Sequence, residues 1–322
     1  GSTEQVELTT SEEIEVVQEP VVEVMNVLTE EERMQVTEEA RKLFKEEMKS
    51  FLTIENPSTV RMIRSFFPEN LVFYDNKSYV FEPIQDSLKK HGLNHANLVK
   101  NEKGEMEYIE DGIVTSHKGI DVSKYQGNID WKEVYDSKVY FAFIKATEGE
   151  NFVDKRFTKN WKEAKANNII VGAYHFFRFN KEGKEQAYNF INRVELTEED
   201  LPPVLDVELY GGNKYSAETK SKVISEIYNC LRTLERHYDK QPIIYTNVET
   251  YQNFIKGNFD DYDLWLCKLC NEPTSVKWKF WQYNHKGDVP GIRSEVDLNI
   301  FNGNYSDFIN YIYGKNEKNS DS

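Results

Sequence analysis

From Lys118 onward the sequence alternates between segments typical of buried strands and segments typical of amphipathic helices. The strand-like segments are residues 119–123, 141–147, 169–177, 204–209, 243–247, 263–269, 279–283 and 296–301. The helix-like segments are residues 129–137, 155–167, 183–195, 217–238 and 248–254. Such regular alternation predicts a parallel sheet whose strands are joined by crossover helices.

Eight strands within about 200 residues are enough to close a barrel. Helices follow only the first five strands, and loops join the last three. We therefore predict an α/β fold, a TIM-like (β/α)5(β)3 barrel over residues 118–314. A closing helix is expected at residues 306–313, with Ser306 as its cap.

Two carboxylates interrupt the fourth strand, which lies in the segment Leu201-Pro-Pro-Val-Leu-Asp-Val-Glu-Leu209. Asp206 and Glu208 are two positions apart, so on a strand their side chains point the same way. Paired acids in apolar surroundings are expected to have different pKa values, one carboxyl staying protonated while its neighbour ionises. Such a pair suits cleavage of a glycosidic bond, although a structural ion pair would leave the same pattern.

Other polar and aromatic residues stand near the ends of the remaining strands. In barrels of this kind the reactive residues lie at the carboxyl ends of the strands. The residues found there are Asp121, Tyr174, Tyr245, Trp281 with Gln282, and Asp297. Four carboxylates and several aromatic residues at one rim favour catalysis over a purely structural role for the acidic pair.

Three segments lie outside the predicted barrel. Residues 1–28 are rich in Glu and Val and predict a disordered acidic stalk. Residues 29–117 predict a small α+β domain of unknown role, which opens with a capping box at Thr29 and Glu32 and an amphipathic helix. A hairpin over residues 71–81, a short helix at 85–91 and two more strands follow, and residues 315–322 form a polar tail. We expect the barrel to fold without residues 1–117.

The charge of the chain excludes one class of partner. Its net charge is −15, and residues 1–47 contain fourteen Glu against four Lys or Arg. An acidic chain without a basic cluster is a poor candidate for binding nucleic acid. No apolar run approaches the roughly 18 residues that a membrane span requires, and no signal peptide is visible.

The cysteine and histidine residues predict neither a disulfide framework nor a metal site. Cys230, Cys267 and Cys270 are too few for a disulfide scaffold, and Cys267 and Cys270 are expected to be ordinary strand residues that behave as small buried hydrophobic groups. His91, His95 and His117 do not have the spacing of a metal motif and are expected at the surface. We therefore expect neither a metal nor a cofactor.

Eight short motifs in the barrel region occur in an order that resembles one known family. They are Gly-Ile-Asp-Val-Ser-Lys-Tyr-Gln-Gly (119–127), Phe-Ala-Phe-Ile-Lys-Ala-Thr-Glu-Gly (141–149), Gly-Ala-Tyr-His-Phe (172–176), Glu-Gln-Ala (185–187), Leu-Asp-Val-Glu (205–208), Ile-Tyr-Thr-Asn (244–247), Phe-Trp-Gln-Tyr (280–283) and Val-Asp-Leu-Asn (296–299). Together they resemble the glycoside hydrolase family 25 lysozymes, or Chalaropsis-type muramidases, over residues 118–303.

The resemblance implies hydrolysis of the β-1,4 bond between N-acetylmuramic acid and N-acetylglucosamine in peptidoglycan. Glu208 matches the general acid of the family. Asp206 matches the residue that orients or stabilises the N-acetyl group, or acts as the nucleophile. Two further acidic positions, Asp121 and Asp297, line the family's site, and the aromatic positions around the sugar groove are matched by Tyr174, Tyr245 and Trp281.

Peptidoglycan glycan strands are therefore the expected partner of a secreted or cell-surface enzyme, which we expect to be a monomer. Two alternatives stay open. One is a catalytically inactive protein that binds glycan, against which the intact Asp206 and Glu208 argue. The other is a cell-wall adhesion protein whose role centres on residues 29–117.

Overall fold

A computed structural model of the chain contains two compact units. It describes residues 28–51, 63, 66–67, 69–74, 78–83, 98–103, 105–110, 113–114, 116–269 and 272–313. The first unit comprises Gly1–Ile54 and Asn76–Tyr79, and the second comprises Glu55–Asp75 and Val80–Ser322. The predicted tail at 315–322 and all but the last residue of the predicted stalk at 1–28 lie outside the described residues.

Helix α1 (Glu30–Phe51) is the main described element of the first unit. The Thr29 backbone N–H donates to Glu32 Oε2 (3.0 Å), and the Glu32 N–H donates to Thr29 Oγ1 (3.2 Å). These reciprocal hydrogen bonds satisfy two backbone donors that the first turn of a helix leaves unpaired. The predicted capping box and the helix after it are therefore confirmed.

Five short strands precede the barrel in the described part of the chain. They are β1 (Asn70–Tyr74), β2 (Tyr79–Pro83), β3 (Leu98–Lys100), β4 (Met106–Glu110) and β5 (Ile113–Val114). Strands β1 and β2 pair as the predicted hairpin, and β3, β4 and β5 form a three-stranded antiparallel sheet. The short helix predicted at residues 85–91 lies outside the described part of the chain.

Eight strands close a barrel in the second unit. They are β6 (Lys118–Val122), β7 (Phe141–Glu148), β9 (Ile170–Phe176), β10 (Val204–Asp206), β11 (Ile243–Asn247), β12 (Leu264–Cys267), β13 (Phe280–Gly287) and β14 (Val296–Phe301). The short strand β8 (Phe152–Val153) pairs with the end of β7. The order β6-β14-β13-β12-β11-β10-β9-β7 closes because β6 also pairs with β7.

Helices follow each of the first five barrel strands, as predicted. They are α2 (Trp131–Asp136), α3 (Phe157–Ala166), α4 (Gly183–Ile191), α5 (Lys220–Tyr238) and α6 (Val248–Thr250), the last of which continues as a π-helical turn (Tyr251–Ile255). Loops join β12, β13 and β14, and helix α7 (Tyr305–Tyr313) comes after the final strand. The predicted (β/α)5(β)3 barrel is confirmed.

The last barrel strand departs from the prediction of a wholly parallel sheet. Strand β14 is antiparallel to both of its neighbours, β13 and β6. A parallel strand needs a crossover connection, whereas an antiparallel strand can be reached through a short loop. Residues 288–295 are too few to carry the chain back to the other end of the barrel, so β14 runs in the opposite direction.

The cap of helix α7 also differs from the prediction. The helix begins at Tyr305, so Ser306 lies within it. Asn304 Oδ1 accepts from the Asp307 backbone N–H (3.0 Å), and Asp307 Oδ2 accepts from the Asn304 N–H (2.9 Å). Asn304 therefore caps α7 with the same reciprocal pattern that Thr29 and Glu32 form at α1.

Side chains of the barrel strands alternate between an inner layer inside the barrel and an outer layer beneath the helices. The inner layer contains Phe141, Phe143, Val204, Ile243, Tyr245, Trp265, Phe280 and Phe301, with Phe308 and Ile312 of α7. The outer layer includes Ile120, Ala142, Ile144, Leu205, Ile244, Leu266 and Trp281. Aromatic rings thus fill the barrel, and α7 packs against one end of that filling.

His117, which we expected at the surface, is buried. Its ring packs on Phe308 at a centroid distance of 3.9 Å and on Tyr140 at 5.1 Å. Burial lowers the pKa of His117 to about 4, so the ring is neutral at physiological pH. The residue lies immediately before β6 and continues the apolar packing at the end of the barrel that α7 covers.

Part of the segment before residue 118 packs on the barrel. Met106 of β4 is buried in the outer layer, and Lys118 Nζ forms ion pairs with Glu105 (3.0 Å) and Glu107 (3.3 Å). Strand β4 therefore contributes to the packing of the second unit.

Of the helices in the described ranges, none has the length and hydropathy needed to cross a membrane.

Candidate active site

At the carboxyl ends of the parallel strands, polar side chains replace the aromatic ones of the inner layer. We call this end of the barrel the rim. Residues two apart on a strand face the same side. In β13, for example, Phe280 lies in the inner layer and Gln282 is one step closer to the rim. The inward-facing residues near the rim are Asp121, Tyr174, Asp206, Tyr245, Cys267, Gln282 and Asp297.

Asp206 and Glu208 form a hydrogen-bonded pair of carboxyl groups at the rim. Strand β10 ends at Asp206, so Glu208 follows the strand and does not lie on it as predicted. Asp206 is 5% exposed, and Glu208 is half-buried. Burial raises the pKa of Asp206 well above its ordinary value, and the charge of Glu208 raises it further. Burial also raises the pKa of Glu208, so the pair holds a proton to higher pH than isolated carboxyl groups would.

One oxygen of Asp206 has no partner. Asp206 Oδ1 is buried and accepts no hydrogen bond from any residue that the structure describes. Leaving a buried acceptor unpaired costs about 1–3 kcal/mol. Such an atom is a natural place for an N–H or O–H group of a ligand to bind.

Asp121 and Asp297 form a second carboxyl pair across strands β6 and β14, where they are direct partners. Asp121 Oδ2 accepts from Gln282 Nε2 (2.7 Å) and from Asn299 Nδ2 (2.8 Å). Burial, the charge of Asp121 and a hydrogen bond to Asp121 together raise the pKa of Asp297 well above its ordinary range. Asp297 is the member of this pair with the raised pKa, so it holds a proton that an isolated carboxyl group would release.

The two predicted tyrosines lie among these carboxyl groups. Burial raises the pKa of Tyr174, and the charges of Asp121, Asp206 and Asp297 raise it further. Tyr245 donates its hydroxyl proton to Gln282 Oε1 (2.6 Å), and its hydroxyl also lies within hydrogen-bond reach of Glu208. Both residues are therefore neutral phenols, and Tyr245 links Gln282 with the Asp206–Glu208 pair.

Trp281 is not brought together with the other predicted residues. It is 1% exposed and lies in the outer layer, where its Nε1 donates to the backbone oxygen of Lys268 (2.8 Å). Because side chains alternate along β13, Gln282 and not Trp281 faces the rim. The aromatic residue that touches both tyrosines is Trp265, at ring-centroid distances of 6.1 Å from Tyr174 and 4.4 Å from Tyr245.

Of three further polar residues of the site, only Gln282 was placed at the rim from the sequence; Lys145 and Asn299 were not. Lys145 forms an ion pair with Glu148 (2.8 Å), and its positive charge lowers the pKa of both Asp206 and Glu208. Gln282 and Asn299 hold Asp121, and Asn299 in turn accepts from Trp265 Nε1 (2.7 Å). The alternation of side chains along each strand would have identified them. Lys145 is two positions from Phe143 and Asn299 is two positions from Phe301, so each faces the interior of the barrel as those rings do.

A pocket of about 480 Å³ opens beside the rim. It is lined by Glu148 at the end of β7 and by loops that follow β7, β9 and β10, which include Arg178 and Asn213. Arg178 forms an ion pair with Glu148 and donates to the backbone oxygen of Gly211. Asn213 Nδ2 donates to the backbone oxygen of Glu208 (2.9 Å), so the wall of the pocket is connected to the loop that carries Glu208.

Neither a metal site nor a disulfide is evident at the rim. Within the described ranges, no group of three or more His, Cys, Asp or Glu side chains is arranged to hold a metal ion. Cys267 is a free thiol 3.4 Å from His285 Nε2, and Cys270 lies outside the described residues. Burial raises the pKa of Cys267 to about 12, so it is a neutral thiol with little nucleophilic character.

The sequence and the fold are similar to those of known proteins. The family model described as "Glycosyl hydrolases family 25" matches residues 120–292. A protein of Escherichia coli called YegX is 37% identical over 207 residues, which is 62% of this chain and 74% of that protein. Lysozyme M1 of Streptomyces globisporus is 34% identical over 203 residues, which cover 58% of this chain and 68% of its own.

A solved structure extends the similarity to the fold. The family 25 glycosyl hydrolase of Bacillus anthracis is 39% identical and superimposes with a TM-score of 0.58, covering 66% of this chain and all of the other. The family model alone covers more than half of the chain, and the region it matches contains Asp121, Asp206 and Glu208. The chain belongs to the glycosyl hydrolases of family 25, and its barrel is that family's TIM-like fold.

Proposed function

We propose that the barrel is a muramidase, which hydrolyses the β-1,4 bond between N-acetylmuramic acid and N-acetylglucosamine in peptidoglycan. Membership of a glycoside hydrolase family supports the class of reaction. A relative that bears the name lysozyme supports peptidoglycan as the substrate. The observation that carries the proposal is the Asp206–Glu208 carboxyl pair at the rim, in which burial raises the pKa of both groups.

Glu208 is the general acid in this proposal. It is the more exposed member of its pair, and burial raises its pKa, which favours the protonated form that a general acid needs to deliver a proton to the leaving glycosidic oxygen. Asp206 orients and stabilises the N-acetyl group of the substrate, or attacks the anomeric carbon directly. The unpaired Asp206 Oδ1 supports the first role, because an acetamido N–H would satisfy it.

Asp121 and Asp297 bind the substrate with the tyrosines in this scheme. An ionised Asp121 would stabilise positive charge that develops at the anomeric carbon, while a protonated Asp297 would donate a hydrogen bond. Tyr174 and Tyr245 would contact the sugar from neighbouring strands. Trp281 would act only by supporting the wall of the site, since its ring lies in the outer layer.

The place of action follows from the substrate. Peptidoglycan lies outside the cytoplasmic membrane, so we propose that the protein is secreted or held at the cell surface. We further propose that it acts as a monomer without a cofactor, because both carboxyl pairs come from one chain and supply the proton transfer and the charge stabilisation themselves.

Substitution of Glu208 by glutamine tests the assignment. Glutamine keeps the shape of the side chain but delivers no proton, and general acid catalysis is worth about 10²–10⁴-fold. We expect kcat on purified peptidoglycan to fall by at least about 10²-fold, with binding to insoluble wall retained. Mass spectrometry of the products should identify muramic acid at the new reducing end in the wild type.

Glu235→Gln is the matched control, because Glu235 is a partly buried glutamate on the outer helix α5. It should cleave like the wild type. Near-normal turnover by Glu208→Gln would refute the role of Glu208. A folded wild type that binds wall and releases no fragments would instead favour the inactive glycan-binding protein.

A further inference from the structure

We propose that His175 is a positioning residue. It holds a bulge in strand β7 and thereby directs the Glu148 carboxylate to two cations at the rim, Lys145 and Arg178. The importance of this arrangement for cleavage rests on the proposed function, but the position of Glu148 does not, and the two are tested separately.

Strand β7 contains one residue more than β9 over the stretch where the two strands pair. Lys145 is opposite Tyr174 of β9, and Thr147 is opposite the next residue, His175, so Ala146 is the extra residue. Regular alternation would put residues 145 and 147 on the same face of the strand. Because of the bulge, Lys145 faces the rim whereas Thr147 faces the outer layer, as His175 does. Bulges often redirect side chains in this way.

The bulge also turns Glu148 back toward the rim. Glu148 is opposite Phe176 of β9, which is two positions from Tyr174 and faces the rim as well. There the Glu148 carboxylate forms ion pairs with Lys145 (2.8 Å) and with Arg178. Both cations lie over the ring of Phe176, at 5.6 and 5.0 Å from its centroid. In a regular strand Glu148 would face the outer layer, away from both cations.

Three fully buried polar side chains anchor the bulge from the outer layer. They are Thr147 of β7, His175 of β9 and Gln186 of α4. Thr147 Oγ1 lies 2.6 Å from His175 Nδ1, and His175 Nε2 lies 3.0 Å from Gln186 Oε1. A buried polar group that loses its partner is costly, so these contacts keep Thr147 in the outer layer.

The hydrogen bonds of Gln186 determine which nitrogen of His175 carries the proton. Gln186 Oε1 accepts from the Arg178 backbone N–H (2.8 Å), and Gln186 Nε2 donates to the backbone oxygens of Arg178 (2.9 Å) and Lys181 (3.3 Å). The amide oxygen therefore faces His175 and requires a donor, so the ring proton is on Nε2. Nδ1 is then an acceptor and receives the Thr147 hydroxyl proton. Burial lowers the pKa of His175 to about 4, in agreement with a neutral ring.

His175 thus joins the two segments that supply the charges. Through Thr147 it holds the end of β7, which carries Glu148, and through Gln186 it holds the backbone of Arg178. The other charged residues that line the pocket with Glu148 are Glu150, Lys181 and Lys214. Lys145 is held by Glu148 on one side, and its charge acts on the Asp206–Glu208 pair on the other.

The proton on His175 is the first test, and it uses the wild-type chain. In ¹⁵N NMR of protein labelled at histidine, with His175 sequentially assigned, Nε2 should be protonated at neutral pH and Nδ1 should be a hydrogen-bonded acceptor. A proton on Nδ1 would overturn the proposal, because Thr147 would then not be held as a donor.

Thr147→Val is the second test, since valine keeps the shape of threonine and lacks the hydroxyl. Burial raises the pKa of Glu148, but its hydrogen bonds with Lys145 and Arg178 outweigh burial and lower that pKa overall. Once the bulge is released, Glu148 leaves these cations, so its titration should move upward, at least to that of an exposed glutamate. Thr147→Ser retains the hydroxyl and should keep the wild-type titration, whereas His175→Leu should shift it as Thr147→Val does.

The titration is followed by ¹³C NMR of protein labelled at the glutamate carboxyl, with Glu148 identified by its absence in Glu148→Gln. Thr246→Val is the matched control. Thr246 is also a fully buried threonine on a barrel strand, and its hydroxyl donates to the backbone oxygen of Asn247 (3.3 Å). It should change stability without moving the Glu148 titration. An unchanged titration in folded Thr147→Val, or an equal shift in Thr246→Val, would overturn the proposal.

Cleavage of peptidoglycan tests whether this positioning matters for the reaction. Thr147→Val and Glu148→Gln should each lower kcat/KM, because Lys145 is no longer held in place. In the Glu148→Gln background, Thr147→Val should cause no further loss beyond about twofold, since its effect acts through Glu148. A full additional loss would contradict that route. If the wild type does not cleave peptidoglycan, the proposed function fails, whereas both NMR results still decide the role of His175.

Discussion

At the scale of single residues, the site is governed by an excess of like charge. Four carboxyl groups occupy neighbouring inner positions, and the cation whose charge acts on Asp206 and Glu208 is Lys145. Burying charges without partners costs several kcal/mol each, so the site retains protons that isolated carboxyl groups would release. This retention makes the rim both reactive and sensitive to pH.

Removal of the Lys145 charge should shift the pH profile of activity. Its positive charge lowers the pKa of Glu208, so Lys145→Met should raise that pKa and move the alkaline limb upward by roughly half a unit. The measurement is kcat/KM between pH 4 and 9 on a soluble glycan. Lys165→Met is the control, because Lys165 lies on the outer helix α3 and forms its ion pair with Asp200, away from the site. A downward shift, or an equal shift in both variants, would contradict the assignment.

Asp297→Asn should stabilise the protein while lowering its activity. The folded state keeps a proton on Asp297, whereas the unfolded chain releases it above pH 4, so the wild type loses stability as the pH rises from about 4 to 7. Asparagine has no such proton to lose. The Tm advantage of the variant, measured by calorimetry, should therefore be small at pH 4 and larger at pH 7, by roughly 2–4 °C per kcal/mol. A difference that does not depend on pH would exclude this explanation.

The sequence predicted the acidic and phenolic residues of the site better than the residues that hold them. Asp206 and Glu208 stand out because carboxylates are rare in a buried strand. Gln282 and Asn299 carry no such signal, since a buried amide is common wherever it finds partners. Trp281 was predicted at the rim because it is aromatic and lies in the Phe-Trp-Gln-Tyr motif. The alternation of side chains along β13 puts it in the outer layer instead.

At the scale of elements, helices α4 and α5 approach each other closely at Gly183. A Cβ atom on Gly183 would lie 1.8 Å from the backbone oxygen of Glu226 in α5. The Gly183 N–H also donates to Glu226 Oε2 (3.0 Å). Backbone cannot move aside as a flexible side chain can, so the packing of α4 on α5 depends on glycine at this position.

Gly183→Ala should therefore destabilise the barrel by about 1–3 kcal/mol, the usual cost of overpacking. This cost exceeds the small gain that alanine brings to a helix. Chemical denaturation provides the measurement. Lys184→Ala, at the exposed next position of the same helix, should change stability by no more than about 0.5 kcal/mol. Equal effects of the two substitutions would show that the contact is unimportant.

Element type was easier to predict than element direction. Each barrel strand and each crossover helix was identified from hydrophobic pattern, and strands β11 and β14 have the predicted bounds. Direction is not encoded in the pattern of a single strand. The antiparallel β14 follows from the length of its connection, which decides whether a chain can return to the other end of a sheet.

At the scale of the whole molecule, the position where the barrel begins stays a prediction. Two shortened chains test it, one beginning at Leu98 and one at Lys118. Both should fold and cleave soluble glycan, because a domain of about 200 residues can bury its own core. The shorter chain should have the lower Tm, since it lacks the burial of Met106 and the ion pairs of Lys118.

Equal Tm values would show that β3, β4 and β5 add nothing to the barrel. An insoluble chain from Lys118 beside a soluble one from Leu98 would place the boundary between residues 98 and 118. If both chains cleave soluble glycan as the full chain does but bind whole cell walls less well, the earlier residues serve to target the enzyme.

The reversed direction of β14 has an architectural consequence. Strand β6 begins, and β14 ends, at the pole opposite the carboxyl groups, where the Phe301 N–H donates to the His117 oxygen (3.1 Å). The polypeptide therefore enters and leaves the barrel at adjacent points of the same end. Modules fused at either point, or a circular permutation that joins them, would leave the opening toward the polysaccharide unobstructed.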